Sequence, residues 1–214
     1  MPTSIILIRH GETAWNAERR LQGHLDIGLN EEGLRQADAV AAALADERID
    51  YIYASDLRRA HLTAQAIAAH HAMPVQQTAG LRERCYGVFE GMLYSDIARQ
   101  YPLQFAAWQA RDIDARMPDG ANPAESFSQF YQRAIGTIHA CAAAHRGRTV
   151  VIVAHGGVLE CAYRAALALP LETPRHFHIH NASINRFVLD GGALSLLHWG
   201  DVAHLEQAAL DELS

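Results

Sequence analysis

The sequence predicts an α/β fold with a mostly parallel sheet. Three observations carry this. Short apolar runs alternate with stretches of helical periodicity along the whole chain. Two runs, "IILIRHG" at 5–11 and "VVIVAHG" at 150–156, are strongly apolar, as strands buried on both faces are. Both stop in the same way, at a histidine followed by a glycine. Strands alternating with helices place helices over the faces of a parallel sheet.

The elements follow in order. Residues 4–9 form a buried strand. Residues 31–46 form an amphipathic helix with Leu34, Ala37, Val40, Ala41 and Leu44 at helical spacing, and Asn30 stands at its N-cap. "IDYIYAS", 49–55, is a strand, and Ser55 or Asp56 then caps a helix running to about His70. Pro74 opens a short strand over 74–79. Residues 92–112 are helical with a break near Pro102, and "DGANP", 119–123, is a loop. Residues 124–145 form a long helix, 149–155 a strand, and Gly156 to about Leu169 a helix. Strands near 184–189 and 193–199 close the pattern. No repeat, linker or low-complexity segment interrupts it, so we expect a single domain over 1–214, with its core at about 4–200 and an unassigned tail at 201–214.

Composition narrows the function. The chain has 214 residues, half of them hydrophobic, which suffices for a sizeable core. A net charge of −6 speaks against a nucleic-acid partner held by general attraction. No stretch is apolar for a membrane-spanning length and no basic region precedes the first apolar run, so the sequence predicts a soluble cytoplasmic protein with no membrane partner. Cys85, Cys141 and Cys161 are odd in number, without CxxC spacing, and predict free thiols. The chain contains no lysine: all 18 basic residues are arginine. That excludes a lysine Schiff base and a P-loop lysine, and leaves any phosphate to the planar fork of arginine.

The two histidines now gain meaning. In open parallel sheets ligands bind outside the carboxyl ends of the strands. His10 and His155 both stand there. Gly156 and Gly157 open a helix whose free N–H groups suit an anion. Arg58 and Arg59 occupy the first turn of another helix, where the dipole disfavours cations unless an anion joins them. Arg9 adjoins His10, and "LRERCYGVFEG", 81–91, adds the acid Glu83.

Taken together, "LIRHGET" with Asn16 and "QG" at 22–23, "SDLRRAHLTA", "LRERCYGVFEG", "VVIVAHGG" and "NASINRF" resemble the histidine phosphatase superfamily, in the family's order and across residues 4–187. The resemblance implies the phosphoglycerate-mutase-like fold, a three-layer α/β/α sandwich with a mostly parallel central sheet. It also implies that His10 is a nucleophile forming a phosphohistidine, with Arg9, Arg59 and His155 around the phosphoryl group. Asn16, Gln22 and the Gly23 and Gly156 N–H groups would complete the cradle, and Glu83 would be the proton donor. Glu12 and Thr13 would support the nucleophile loop. Arg84 and Tyr86 would contact substrate. The family needs no metal or other cofactor, and the expected partner is a small phosphorylated metabolite bound by a monomer or homodimer.

Rival chemistries fail on spacing. A cysteine phosphatase needs an arginine six positions after its cysteine, where this chain has Gly91, Gly147 and Leu167. "DID", 112–114, resembles an aspartyl nucleophile motif but falls in a helical region. "HFHIH", 176–180, would put His176, His178 and His180 on one face of a strand, a metal-binding alternative. Within the family, the cofactor-dependent mutases carry a longer middle insertion with a lysine and paired arginines. Here Met92-Leu93-Tyr94 follows the glycine, Arg111 and Arg116 are separate, and "PDGANPAESFSQF" with its Glu125-Ser126 pair resembles the phosphatases. The sequence therefore favours a phosphomonoesterase. The alternatives are a phosphoglycerate mutase or a phospho-ligand binding protein without catalysis.

Overall fold

A computed structural model describes residues 1–205 and 209–211. Six strands form one sheet: β1 (Thr3–Arg9), β2 (Tyr51–Ser55), β3 (Val75–Thr78), β4 (Thr149–Ala154), β5 (Ile184–Asp190) and β6 (Ala193–Asp201), in the order β3-β2-β4-β1-β5-β6. The pairings β3–β2, β2–β4 and β4–β1 are parallel, and β1–β5 and β5–β6 are antiparallel. The mostly parallel sheet is as expected, and the antiparallel pairs lie along one edge.

Period-two alternation explains how β1 and β4 serve two cores at once. Ile5 and Leu7 join Val150 and Ile152 on one face, and Ile6 and Ile8 join Val151 and Val153 on the other. The first face is covered by α6 (Phe127–Ala143) and α7 (Gly156–Ala166), through Phe130, Ile138, Val158 and Leu159. The second is covered by α2 (Glu31–Ala43) and α3 (Arg58–His71), through Val40, Ala41, Ala64 and Ile67. This is the three-layer sandwich. A third, smaller core forms beside it around Leu21, Phe89, Ile97 and Met117, packed by α4 (Tyr94–Gln100) and α5 (Pro102–Gln109).

Local chemistry sets the helix ends, with some departures from expectation. Asn30 caps α2 by accepting from Gly33 N at 2.8 Å, as predicted, but the helix ends at Ala43, and Leu44 is its C-cap. Ser126 forms a capping box with Gln129, so α6 starts at Phe127 and leaves Ala124 and Glu125 in the preceding loop. Pro102 does break 92–112, giving α4 and α5. Neither Ser55 nor Asp56 caps α3. Leu57 holds that position, and Arg58 N donates instead to Asp26 Oδ1 at 2.6 Å. Asp56 is drawn away by Arg82, which grips both its oxygens at 2.7 Å.

The helix from Gly156 stops at Ala166, short of Leu169. α1 (Ala14–Ala17), a single turn closed by a Thr13–Asn16 capping box, has no counterpart in the sequence reading. "DID" lies in a turn after α5, because that helix ends at Gln109. "HFHIH" is irregular rather than a strand, with one isolated bridge at His180. The tail beyond β6 falls partly outside the described residues. No helix among the described residues is long and apolar enough to cross a membrane.

Candidate active site

The site grows from the paired carboxyl ends of β1 and β4. Arg9 lies opposite Ala154, and His10 N donates to Ala154 O at 3.0 Å. Parallel register therefore sets His10 beside His155, with ring centroids 5.2 Å apart at 62°. His10 is 3% exposed and His155 fully buried. From the third side Asn181 Nδ2 donates to His10 O at 3.0 Å.

One bond fixes the His10 tautomer. Nδ1 lies 2.7 Å from the Gly11 carbonyl, which can only accept, so Nδ1 carries the proton. Nε2 then holds the lone pair whenever the ring is neutral. Burial, and then the Arg59 and Arg9 guanidiniums, push the His10 pKa well below the ordinary histidine range; the Gly11 bond only partly opposes this. His155 is held neutral for like reasons, burial first and Arg59 second. Neither of its ring nitrogens has a hydrogen-bond partner among the described residues. A buried imidazole left unbonded costs free energy unless a ligand uses it.

The loop after β1 is clasped by α2. Glu12 N donates to Gln36 Oε1 and Asn30 Nδ2 to Glu12 Oε1, both at 2.8 Å. The backbones meet so closely that a Cβ on Gly11 would collide with the Gly33 carbonyl, and one on Gly33 with the Glu12 carbonyl. Asn16 Oδ1 is spent on the cap with Thr13, leaving Nδ2 as the donor it can offer. Arg59 points inward from α3, 1% exposed, while Arg58 faces solvent. Arg59 also holds the loop opposite, donating to Leu25 O at 2.9 Å and Gly23 O at 2.8 Å. Gly23 has φ +52, and any side chain there would strike Glu90.

Glu83 arrives on the loop after β3 and is 8% exposed. Arg84 N donates to its Oε1 at 2.8 Å, and Gly157 N, in the first turn of α7, donates to Oε2 at 3.0 Å. Behind it Arg133 pairs with both oxygens of Glu125 at 2.7 and 2.6 Å and also donates to the Gly80, Arg82 and Glu83 carbonyls. His24 Nε2 donates to Glu83 O at 2.9 Å. Burial alone would raise the Glu125 pKa, but Arg133 and Cys85 N hold it below the usual range.

These groups surround a small depression of about 30 Å³, lined by His10, Asn16, Gln22, Gly23, Arg59, Glu83 and Tyr86. Trp15, Arg20, Leu21, Tyr94 and Asp211, none of them expected, complete it. Four predicted residues, Arg84 among them, are not in that lining: His155 lies behind His10, Gly156 is buried at the start of α7, and Arg9 is fully buried and donates to Ile179 O at 2.5 Å and Leu210 O at 3.2 Å. Arg84 lines the neighbouring cavity of about 300 Å³, which Tyr86 shares. Arg133, His24 and Glu90 were missed because each acts on the site through backbone groups far away in sequence. Among the described residues no cluster of histidine, cysteine or acid side chains could hold a metal. His178 instead bonds Asp211 at 2.9 Å.

Two neutral histidines under two arginines at a strand edge, facing a buried carboxyl group, are equipped to hold and transfer a phosphoryl group. The family model for the histidine phosphatase superfamily (branch 1) matches residues 5–202. The chain belongs to the histidine phosphatase superfamily. It is 39% identical over 206 residues to phosphoglycerate mutase-like protein 4 of Arabidopsis thaliana, covering 95% of this chain and 87% of that one. It is 37% identical to a metal-independent phosphoserine phosphatase of the same plant, covering 95% and 83%. A phosphoserine phosphatase variant from Entamoeba histolytica, solved with phosphoserine, superposes with a TM-score of 0.83 at 27% identity, covering 95% and 99%. Membership accounts for the fold and for phosphatase chemistry. The residue roles rest on the geometry.

Proposed function

We propose that this protein hydrolyses a small phosphate monoester through a phosphohistidine on His10, within one domain spanning 1–214. The observation that carries the reading is the tautomer: Nδ1 is tied to Gly11, so the lone pair sits on Nε2 of a ring held neutral by burial. Nε2 attacks phosphorus, the bond to the leaving oxygen breaks, and Glu83 gives that oxygen its proton. Water then attacks the phosphohistidine, Glu83 takes a proton back, and phosphate leaves. Arg59 and Arg9 supply positive charge, and neutral His155 a hydrogen-bonding group, in the surroundings where charge on the phosphoryl group is stabilised. Asn16, Gln22, Gly23 and Gly156 orient it. Gln22 lines the depression, and its side-chain amide Nε2 is the donor it would offer.

The test is trapping. A brief exposure to substrate labelled at phosphorus should mark the wild type with an acid-labile, base-stable label, and His10→Ala should lose both label and turnover. Substantial activity in His10→Ala would overturn the reading. The likeness to a mutase-like relative keeps one other outcome in view. If the protein interconverts phosphoglycerates faster than it releases phosphate from any ester, it is an isomerase built on the same histidine.

A further inference from the structure

We propose that the cavity of about 300 Å³ beside the phosphate site takes the alcohol part of the substrate, and that this part carries a flat aromatic or heteroaromatic ring and no second anion. The inference rests on the phosphomonoesterase reading and deepens it. The depression around His10 measures only about 30 Å³, so it has no room for a leaving group beside the phosphoryl group. The leaving oxygen must sit at Glu83. Gly157, whose N–H holds that carboxyl group, lines the larger cavity, and Tyr86 lines both. Among the described residues, the larger cavity is therefore where a leaving group held at Glu83 extends.

What it meets there is aromatic. Tyr86, Trp108 and Phe127 line the cavity and are each half-buried, which leaves part of each ring accessible to a ligand. Tyr86 and Trp108 lie 5.5 Å apart, and Trp108 is braced from behind by Phe105 and Phe89. A volume of 300 Å³ lies at the lower end of pockets that hold drug-sized ligands, about 300–1,000 Å³. A three-carbon hydroxy acid would leave much of it wet.

Charge argues against a second anion. The lining arginines Arg84, Arg111 and Arg175 are matched in number by Asp112, Glu160 and Glu172. Arg111 is paired to Glu160 at 2.6 Å. Arg84 stacks over Tyr86 at 5.4 Å and Phe127 at 6.0 Å, with Nε and Nη2 bonded to the Glu125 and Ala115 carbonyls. Its faces and those two donors are engaged in stiffening the aromatic wall.

The experiment compares kcat/KM for ethyl phosphate, 2-phenylethyl phosphate and phosphoserine, all with primary alkyl leaving oxygens. Burying the ring should favour 2-phenylethyl over ethyl phosphate by about ten- to a hundredfold. Phe127→Ala, and Ala110→Trp, which would fill the cavity, should each bring that ratio towards one. 2-Phenylethanol should inhibit the wild type competitively, a readout that needs no variant to fold. Equal rates for the ethyl and phenylethyl esters in an active enzyme would overturn this inference alone. So would a preference for phosphoserine that Arg84→Ala abolishes, which would assign the cavity to a carboxylate. No hydrolysis of any ester, together with no label on His10, would overturn the phosphomonoesterase reading and this inference with it.

Discussion

In the proposed mechanism His10 and Glu83 divide the chemistry, and each can be tested by itself. Because Gly11 holds Nδ1–H and burial disfavours the charged ring, the His10 imidazole should titrate below about 6.5 when followed by NMR. A midpoint above about 7 would mean the ring is mostly cationic at neutral pH and unable to attack. Glu83 is asked to protonate an alkoxide, help worth on the order of a hundred- to ten-thousandfold. A nitrophenyl group leaves as a stable anion and needs far less. Glu83→Gln should therefore slow phosphoryl transfer from an alkyl phosphate much more than from nitrophenyl phosphate in single-turnover kinetics. Phosphohistidine should accumulate with the nitrophenyl donor, since glutamine cannot take a proton from water. Equal losses on both substrates with no trapped intermediate would make Glu83 structural. Arg59, which would hold the phosphoryl group and not the leaving oxygen, should cost both substrates alike when replaced.

At the scale of the element, the site depends on how closely α2 approaches the loop carrying His10. The contact is backbone against backbone at Gly11 and Gly33, with Asn30 and Gln36 bonding Glu12 across it. Gly33→Ala puts a methyl group where the Glu12 carbonyl stands. It should cost about 1–3 kcal/mol as overpacking does, read from denaturant midpoints, and should lower kcat by moving the nucleophile loop. A stable variant with full activity would show that α2 can retreat without disturbing His10. The long helix α6 acts from the other side. Ser126 starts it, and two turns further on Arg133 reaches back to Glu125 and to the carbonyls of the loop bearing Glu83. The short middle segment of the chain thus sets the position of the acid, a role that its composition alone does not display.

In the whole molecule, the buried histidines make folding sensitive to acid. In the unfolded chain His10 and His155 take up protons below about pH 6.5, whereas in the fold burial keeps them neutral to lower pH. Below pH 6.5 the unfolded state then binds more protons, so their contribution is fully present above that pH and falls as pH falls. His24 and His204, whose pKa values are also lowered by burial, act in the same direction. Urea midpoints should change little with these groups above pH 6.5 and drop between pH 6.5 and 5. A variant with His10→Asn and His155→Asn should lose less over that interval than the wild type. An equal loss would place the acid sensitivity elsewhere.

The sequence by itself determined the layers, the carboxyl ends of β1 and β4 and the candidate catalytic set. Period-two and period-3.6 patterns record which faces are buried, and His10, Arg59, Glu83 and His155 sit in motifs only a few residues long. Local reading failed where a distant partner competed. Asp56 looked like a cap and was taken by Arg82, and "HFHIH" looked like a strand until Asp211 bonded His178 and Ile179 N. Tertiary structure alone decided the wall of the larger cavity, where Tyr86, Trp108, Phe127 and Glu160 come from four separate segments. Side-chain identity and periodicity are written along the chain, but which half-buried rings end up facing one another is settled by packing between elements that no local pattern encodes.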